Sequence, residues 1–490
     1  MKLSRLLPIL ALLLASCTPQ ELLTGGTGES VTIAYAEPIS SYSPLTYEAK
    51  NRKYLVNLYE PLVRFDASFN TESALAVSWG RLDEKTWDFR LRKGVVFHDG
   101  QAFNADSVLY SLQLAREYEG SELESLLSSV ASVEKIDEFR VQIRTDQPDP
   151  LLLNELSFVN MVPVDYENFD LPVGTGPYRA SQLISDTLVL ERFEGYWGPL
   201  AYFKEARLQY IPDFKDRLEG MLSGEIGLLA NVPPQGAAQL AEHGILLEEA
   251  PGLENSFLFL NQNTRFADPN VRAAVWHALG SDFAEKLGGG HLRASSQFAA
   301  TGITGYDPEV PERSQNLDLA WEYRHKLPEE MSLTLDIPEG LESLGEMVQE
   351  DLAVIDIAVT VRSTATQEYE DLIMTGLSDF YFFGWKYDLA DGEDFFTGVV
   401  HSPVGTYGTF NAFGYADASM DRDIEALASL FDPMERREAL TLLSSRLLET
   451  QTVLPLFESE VLYALSPDLY YDFRLDGQIW ASEIIENVVE

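Results

Sequence analysis

The chain has 490 residues, 45% hydrophobic and 23% charged, a globular composition long enough to bury a large core without disulfide or metal support. Asp and Glu number 78 against 35 Lys and Arg, a formal charge of −43, which argues against a surface that neutralises nucleic-acid phosphates or docks on anionic lipid by charge alone. The one cysteine excludes an internal disulfide framework and a zinc site built from several thiolates.

At the N-terminus, Lys2 and Arg5 precede the apolar run from Leu6 to Leu14. That run falls short of the about 20 residues a spanning helix needs, and it reads as a secretory signal. Leu14-Ala15-Ser16-Cys17 resembles a bacterial lipobox. The resemblance implies lipidation of the Cys17 thiol and cleavage before it. Residues 1–16 are then the signal peptide, and 17–30, rich in Thr, Gly and Glu, a flexible tether.

The fold is expected to start with a strand at Val31 to Ala36. Thr86 to Arg92 alternates strictly, with Trp87, Phe89 and Leu91 on one face, the pattern of a half-buried strand. Lys93-Gly94 turns the chain, Val95 to Phe97 reads as a second short strand, and His98-Asp99-Gly100 as another turn. A helix follows from Ala105 to Tyr118, with Asn104 as N-cap. Strands are expected at 140–144, 187–193, 206–211, 256–261, 331–337, 357–361 and 379–383. Asp268-Pro269 and Asp432-Pro433 each pair an N-cap with proline at the first helical position, so helices are predicted to start there; Gly280 stops the first and the second runs to about Glu449. Alternating strands and helices give an α/β class with mixed sheets.

The specific motifs of catalysis are missing, while carboxylate pairs of the glycosidase kind stay uninformative because 78 acids guarantee chance pairs. No HExxH pair, Walker loop or GxSxG elbow occurs, and no GxGxxG follows a strand. An acylated Cys17 leaves no thiol nucleophile. No catalytic residue, metal site or cofactor is predicted, and the chain is read as a non-enzyme.

Four separated segments carry a resemblance. The first runs from Leu75-Ala76-Val77-Ser78-Trp79 through Leu91-Arg92-Lys93-Gly94-Val95-Val96-Phe97-His98-Asp99-Gly100 to Phe103-Asn104-Ala105-Asp106-Ser107-Val108. The second is Gly174-Thr175-Gly176-Pro177-Tyr178 with Tyr196-Trp197, and the third Phe259-Leu260-Asn261 with Phe266 and Val271-Arg272-Ala273-Ala274. The fourth is Gly384-Trp385-Lys386-Tyr387-Asp388 with Phe395-Phe396. Together they resemble family 5 extracellular solute-binding proteins, the oligopeptide, dipeptide and nickel-binding components of ABC importers.

The resemblance implies a two-lobed periplasmic-binding-protein-like fold of the cluster C type, with a hinge and an extra subdomain in lobe I. Lobe I is expected from 31–45, 169–255 and 466–490, its subdomain from 46–168, and lobe II from 256–465. Ligands would sit between lobes that close by hinge motion. In peptide-binding members an aspartate matching Asp388 pairs with the peptide α-ammonium. Asp388 is therefore the expected anchor, its alternative being a turn-capping residue in an acidic loop with Asp391, Glu393 and Asp394. Trp385 is a candidate pocket wall or ordinary core, and Tyr387 and Asn411 are further candidate ligand contacts. Gly174 and Gly176 are read as turn and hinge residues, His98 and Asp99 as a solvated turn. Phe382 stands where some oligopeptide binders carry an arginine, Gly392 replaces the usual proline, and Ser41-Tyr42-Ser43-Pro44 lacks the customary aspartate. No histidine lies in the 385–394 loop to favour a nickel chelate.

The implied function is a lipid-anchored, extracytoplasmic substrate-binding protein of an ABC importer, in the periplasm or at the cell surface. It would be a monomer that delivers peptides or similar cationic small solutes to a permease powered by ATPase subunits, touching membrane only through its lipid and binding no nucleic acid. The alternatives are an oligosaccharide or metal chelate in the same cleft, or a surface adhesin or chaperone. The overall acidity suggests cationic ligands. Only 11 of the 35 basic residues are lysine, a balance suited to high external salt, where screening relieves self-repulsion. The unfolding midpoint is accordingly expected to rise between low and molar NaCl; a flat or falling curve overturns that expectation.

Overall fold

The computed structural model describes residues 28–184, 186–288 and 292–487. The expected signal peptide, Cys17 and the tether up to residue 27 lie outside the described residues. The first strand is Gly28–Tyr35, starting at Gly28 rather than Val31 because Gly28 already pairs with Phe203.

Among the described residues the main sheet has eleven strands. Across it the order is Ala358–Thr364, Ser332–Pro338, Phe380–Lys386, Leu246–Leu260, Val453–Leu465, Leu228–Leu229, Gly28–Tyr35, Phe203–Tyr210, Thr187–Arg192 and Tyr178–Ile184, with Leu292–Ala294 also paired to Val453–Leu465. Ser332–Pro338 runs parallel to both its neighbours, as does Gly28–Tyr35, whereas the middle and far-edge pairs are antiparallel. The sheet is therefore mixed, as expected.

Two long strands join its halves. Leu246–Leu260 and Val453–Leu465 run antiparallel for most of their length, 15 and 13 residues. One end of Val453–Leu465 pairs with Leu228–Leu229, whose other neighbour is Gly28–Tyr35; the other end pairs with the strand portion that faces Phe380–Lys386. The register between the two long strands shifts between Pro251 and Asn255, and Leu253 takes a left-handed φ of 59°. Gly252 lies against Ser459, where a Cβ would come within 2.4 Å of the hydroxyl oxygen. A bulge of this kind bends and twists a strand. It falls between the two halves of the sheet.

A separate four-stranded antiparallel sheet follows the order Ala76–Asp83, Thr86–Leu91, Arg140–Thr145, Val130–Asp137. Trp87, Phe89 and Leu91 point inward and are buried. The helix Ala105–Glu117 covers them with Val108, Leu112 and Ala115, and the Asn104 side chain accepts from the Asp106 amide at its start. The same apolar core continues into residues 253–453, with the Trp87 and Phe431 rings 6.4 Å apart and the Arg81 guanidinium 3.6 Å from the Phe431 centroid. Val95 to Phe97 differs from expectation. It contributes only one bridge, Val96 to Ala102, because left-handed glycines at 94 and 100 turn the chain before a ladder can extend.

Both Asp-Pro helices form. Asp268 accepts from the Asn270 amide to start Pro269–Ala278, and Asp432 caps Pro433–Thr450, which buries Leu440, Leu443 and Leu447.

Gly174 and Gly176 owe their identity to close approach rather than to an unusual dihedral. A Cβ on Gly174 would lie 2.1 Å from the Leu58 carbonyl oxygen, and one on Gly176 2.7 Å from that of Asn57. Both contacts are backbone and cannot rotate away. Gly174→Ala is expected to destabilise the protein by about 1–3 kcal/mol, the usual cost of overpacking, read as a lowered denaturant midpoint.

Candidate ligand-binding cleft

A cavity of about 480 Å³ opens where the helix Ala49–Leu55, the bulge at 251–254, the turn after Phe380–Lys386 and the 475–480 loop converge. Its size suits a small solute. Five basic side chains (Lys50, Arg52, Lys53, Arg64 and Lys386) and four acidic ones (Glu37, Glu254, Asp388 and Asp476) line it. The acidity of the whole chain is thus not repeated in the cleft, and the preference for cations inferred from net charge does not carry over to it. Charges of both signs suit a ligand with two poles.

Asp388 lines this cavity. The Tyr387 amide donates to the Leu253 carbonyl at 2.9 Å, tying the Asp388 turn to the strand bulge. From the other side the Asn154 amide group donates to the Leu389 carbonyl at 2.6 Å. The Asp388 carboxylate meets Arg52 at 3.3 Å and Lys386 at 3.2 Å. Arg52 comes from the Ala49–Leu55 helix, so its bond spans the cleft, and its guanidinium stacks over Phe158 at 4.4 Å and Tyr47 at 5.2 Å. Arg52 Nε is buried without a hydrogen-bond partner. Shielding matters here. Unit charges 3.3 Å apart attract by about 5 kcal/mol at an effective dielectric of ~20 and by about 1 kcal/mol in bulk water. Glu254 lies in register opposite Lys386, and burial pushes its carboxyl up from the ordinary range against the pull of the Lys386 ammonium.

The neighbouring acids are engaged elsewhere. Asp391 takes a bidentate pair from Arg436 at 2.7 and 2.9 Å, and Arg436 also bonds Glu393. Asp394 is enclosed, its carboxyl driven well up by burial.

The family model for "Bacterial extracellular solute-binding proteins, family 5 Middle" matches residues 70–407. The chain belongs to this family. Relatives include the dipeptide-binding protein of Escherichia coli K12, 26% identical over 402 residues, spanning 72% of this chain and 74% of the relative. A glutathione-binding protein of Salmonella choleraesuis is 24% identical over 415 residues, 78% and 79% of the two chains. Among solved structures, a periplasmic binding protein of Helicobacter pylori in complex with the peptide STSA superposes with a TM-score of 0.73 at 22% identity, covering 94% of this chain and 98% of the other. NikA of Brucella suis in complex with Fe(III)-EDTA superposes with 0.81 at 22% identity, covering 94% and 100%. The fold is the two-lobed one of these binding proteins.

Within this family 5 protein the expected site residues separate. Asp388 faces the cavity. Trp385 sits one residue from Lys386 on a pleated strand, so it points to the opposite face, where it packs against Phe410, Phe395 and Phe383. Tyr387 is fully buried, and its hydroxyl donates to the Phe298 carbonyl. The Asn411 amide group donates to the carbonyls of Val400, His401 and Tyr415, stapling a loop. None of Trp385, Tyr387 and Asn411 lines the cavity. Residues that do, and that sequence reading missed, include Arg52, Lys386, Glu254, Arg64 and Trp480, with Arg64 stacked 4.6 Å from the Trp480 ring. Lys386 was legible in principle, because it lies within the fourth block and alternates with Trp385.

The first two blocks prove architectural. The Gly174 amide donates to His98 Nδ1 at 3.2 Å, which leaves Nε2 to donate to the Gly176 carbonyl at 3.1 Å. His98 is therefore a neutral clamp and not a solvated turn residue. Glu60, wholly buried, accepts from Thr175, Trp197 and Tyr196 at 2.8 to 2.9 Å, gathering the rest of the second block. Burial lowers the His98 pKa to about 4. A depressed histidine contributes stability above its unfolded value near 6.5 and loses it as pH falls toward 4. Stability should fall across that window, and the fall should be smaller in His98→Gln; an equal fall in the variant overturns the assignment.

Proposed function

We propose that this protein is the lipid-anchored, extracytoplasmic receptor of an ABC importer for peptides. It captures a peptide in the cleft, closes its lobes over it, and presents the closed form to a permease. ATP is hydrolysed by other subunits, the receptor catalyses no reaction, and it works as a monomer anchored through Cys17. Family membership supports the receptor role. The observation that carries the peptide reading is Asp388, a cleft carboxylate at the family's Trp-x-x-Asp position. A peptide α-ammonium meets such a carboxylate in a charge-assisted bond, and lobe closure strengthens it by excluding water. The long strands paired through the bulge are the proposed hinge, with the lobes dividing near 255–256 and 465–466.

The basic part of the lining favours a second reading, an anionic metal chelate held by Arg52, Arg64 and the lysines. Native mass spectrometry of the purified protein, followed by thermal shift with peptide and chelate pools, separates the two. Peptides with free amino termini are expected to raise the unfolding midpoint and compact the particle in solution scattering, and N-acetylated ones to do so much less. Asp388→Asn should weaken free-amine peptides at least about tenfold, the scale of a lost charged hydrogen bond. Equal binding of acetylated peptides, or full binding by the variant, overturns the ammonium anchor.

A further inference from the structure

Asp388 already has two cationic partners, Arg52 at 3.3 Å and Lys386 at 3.2 Å. Around that one carboxylate the count is two positive groups to one negative. A ligand ammonium arriving there meets a net positive neighbourhood, and like charges at such distances repel on the same scale as the pairs attract. Asp388 alone is therefore a poor receptor for a third cation.

Glu254 changes the balance. It lines the same cavity, sits on the Leu246–Leu260 strand beside left-handed Leu253, and lies in register opposite Lys386. Lys386 spends its 3.2 Å contact on Asp388. The Glu254 side chain folds over Gly384, where an added Cβ would come within 2.5 Å of its Oε1. Gly384 thus leaves the space that this carboxylate occupies. Burial raises its affinity for a proton, the Lys386 ammonium lowers it in part, and nearby Asp388 raises it again. Such a carboxylate gains more than an exposed one from a cation delivered to it.

Resting on the peptide reading above, we propose that Glu254 is the second carboxylate of the ammonium site, so that a ligand's primary amine is held between Glu254 and Asp388. With both acids present the local count is two against two before the ligand binds. Arg52 and Lys386 then remain beside the amine to receive an acidic pole of the same ligand. The ligand class is a zwitterion with a primary ammonium, and a bare cation is the poorer fit.

The test compares a free-amine peptide with its N-acetylated form by calorimetry on wild type, Glu254→Gln, Gly384→Ala and Asp388→Asn. Wild type should prefer the free amine at least about tenfold. Glu254→Gln is isosteric, and Gly384→Ala displaces the carboxylate without altering its chemistry; in both the preference should shrink to about threefold or less while the acetylated peptide binds as before. A purely structural role for Glu254 would weaken both peptides alike. An unchanged preference in the two variants overturns the Glu254 assignment and leaves the peptide reading standing. A wild type that binds no peptide overturns the peptide reading itself, and this assignment with it.

Discussion

The antiparallel pairing of Leu246–Leu260 with Val453–Leu465 is the constraint on which the rest of the structure depends. One ladder of backbone hydrogen bonds serves both halves of the main sheet, so neither half has an independent set of strands. The ladder is interrupted around Gly252 to Glu254 and slips once more between Ser256 and Phe257, and a break in register is where a sheet can bend at the least cost in hydrogen bonds. The cavity borders the interruption at Gly252 to Glu254. The backbone irregularity and the cavity are thus one feature of the fold.

Electrostatics follow from the same placement. A chain of charge −43 carries a cleft with nearly equal numbers of acidic and basic side chains. Inside, charges are matched in specific pairs: Asp388 with Arg52 and Lys386, and Asp391 with Arg436 behind it. The Arg436 pair is deeply buried and bidentate, geometry that offsets the cost of removing charge from water. It ties the acidic 391–394 loop to the Pro433–Thr450 helix and leaves Asp388 as the acid of that stretch facing the cavity.

Much of the recognisable pattern in this family 5 protein serves its frame and not its ligand. Glu60 and His98 gather Gly174, Thr175, Gly176, Tyr196 and Trp197 around one buried junction. In the third block, Asn261 donates to the carbonyls of Gly376 and Ser378, setting the turn that leads into Phe380–Lys386. The motifs most useful for placing the chain in its family are therefore mostly those that assemble the scaffold, while the cavity is lined largely by residues outside them.

What the sequence by itself determined is local. Alternation at 86–91 decided a strand and its buried face, Asp-Pro pairs decided two helix starts, and separated motifs pointed to the two-lobed fold. These depend on neighbours within a turn or a strand, where steric and capping preferences act directly. Tertiary structure alone decided what stands in the cleft. Arg52 and Asp388 are 336 residues apart and meet because the fold brings the Ala49–Leu55 helix beside the turn after Phe380–Lys386. The motif leaves Trp385 open between pocket wall and core and makes Tyr387 a candidate contact; strand pleat and a hydroxyl bond to Phe298 turn both away from the cavity. Net charge, a sum over the whole surface, could not reveal that the cleft is nearly balanced, because long-range pairing and not composition sets which charges face one another.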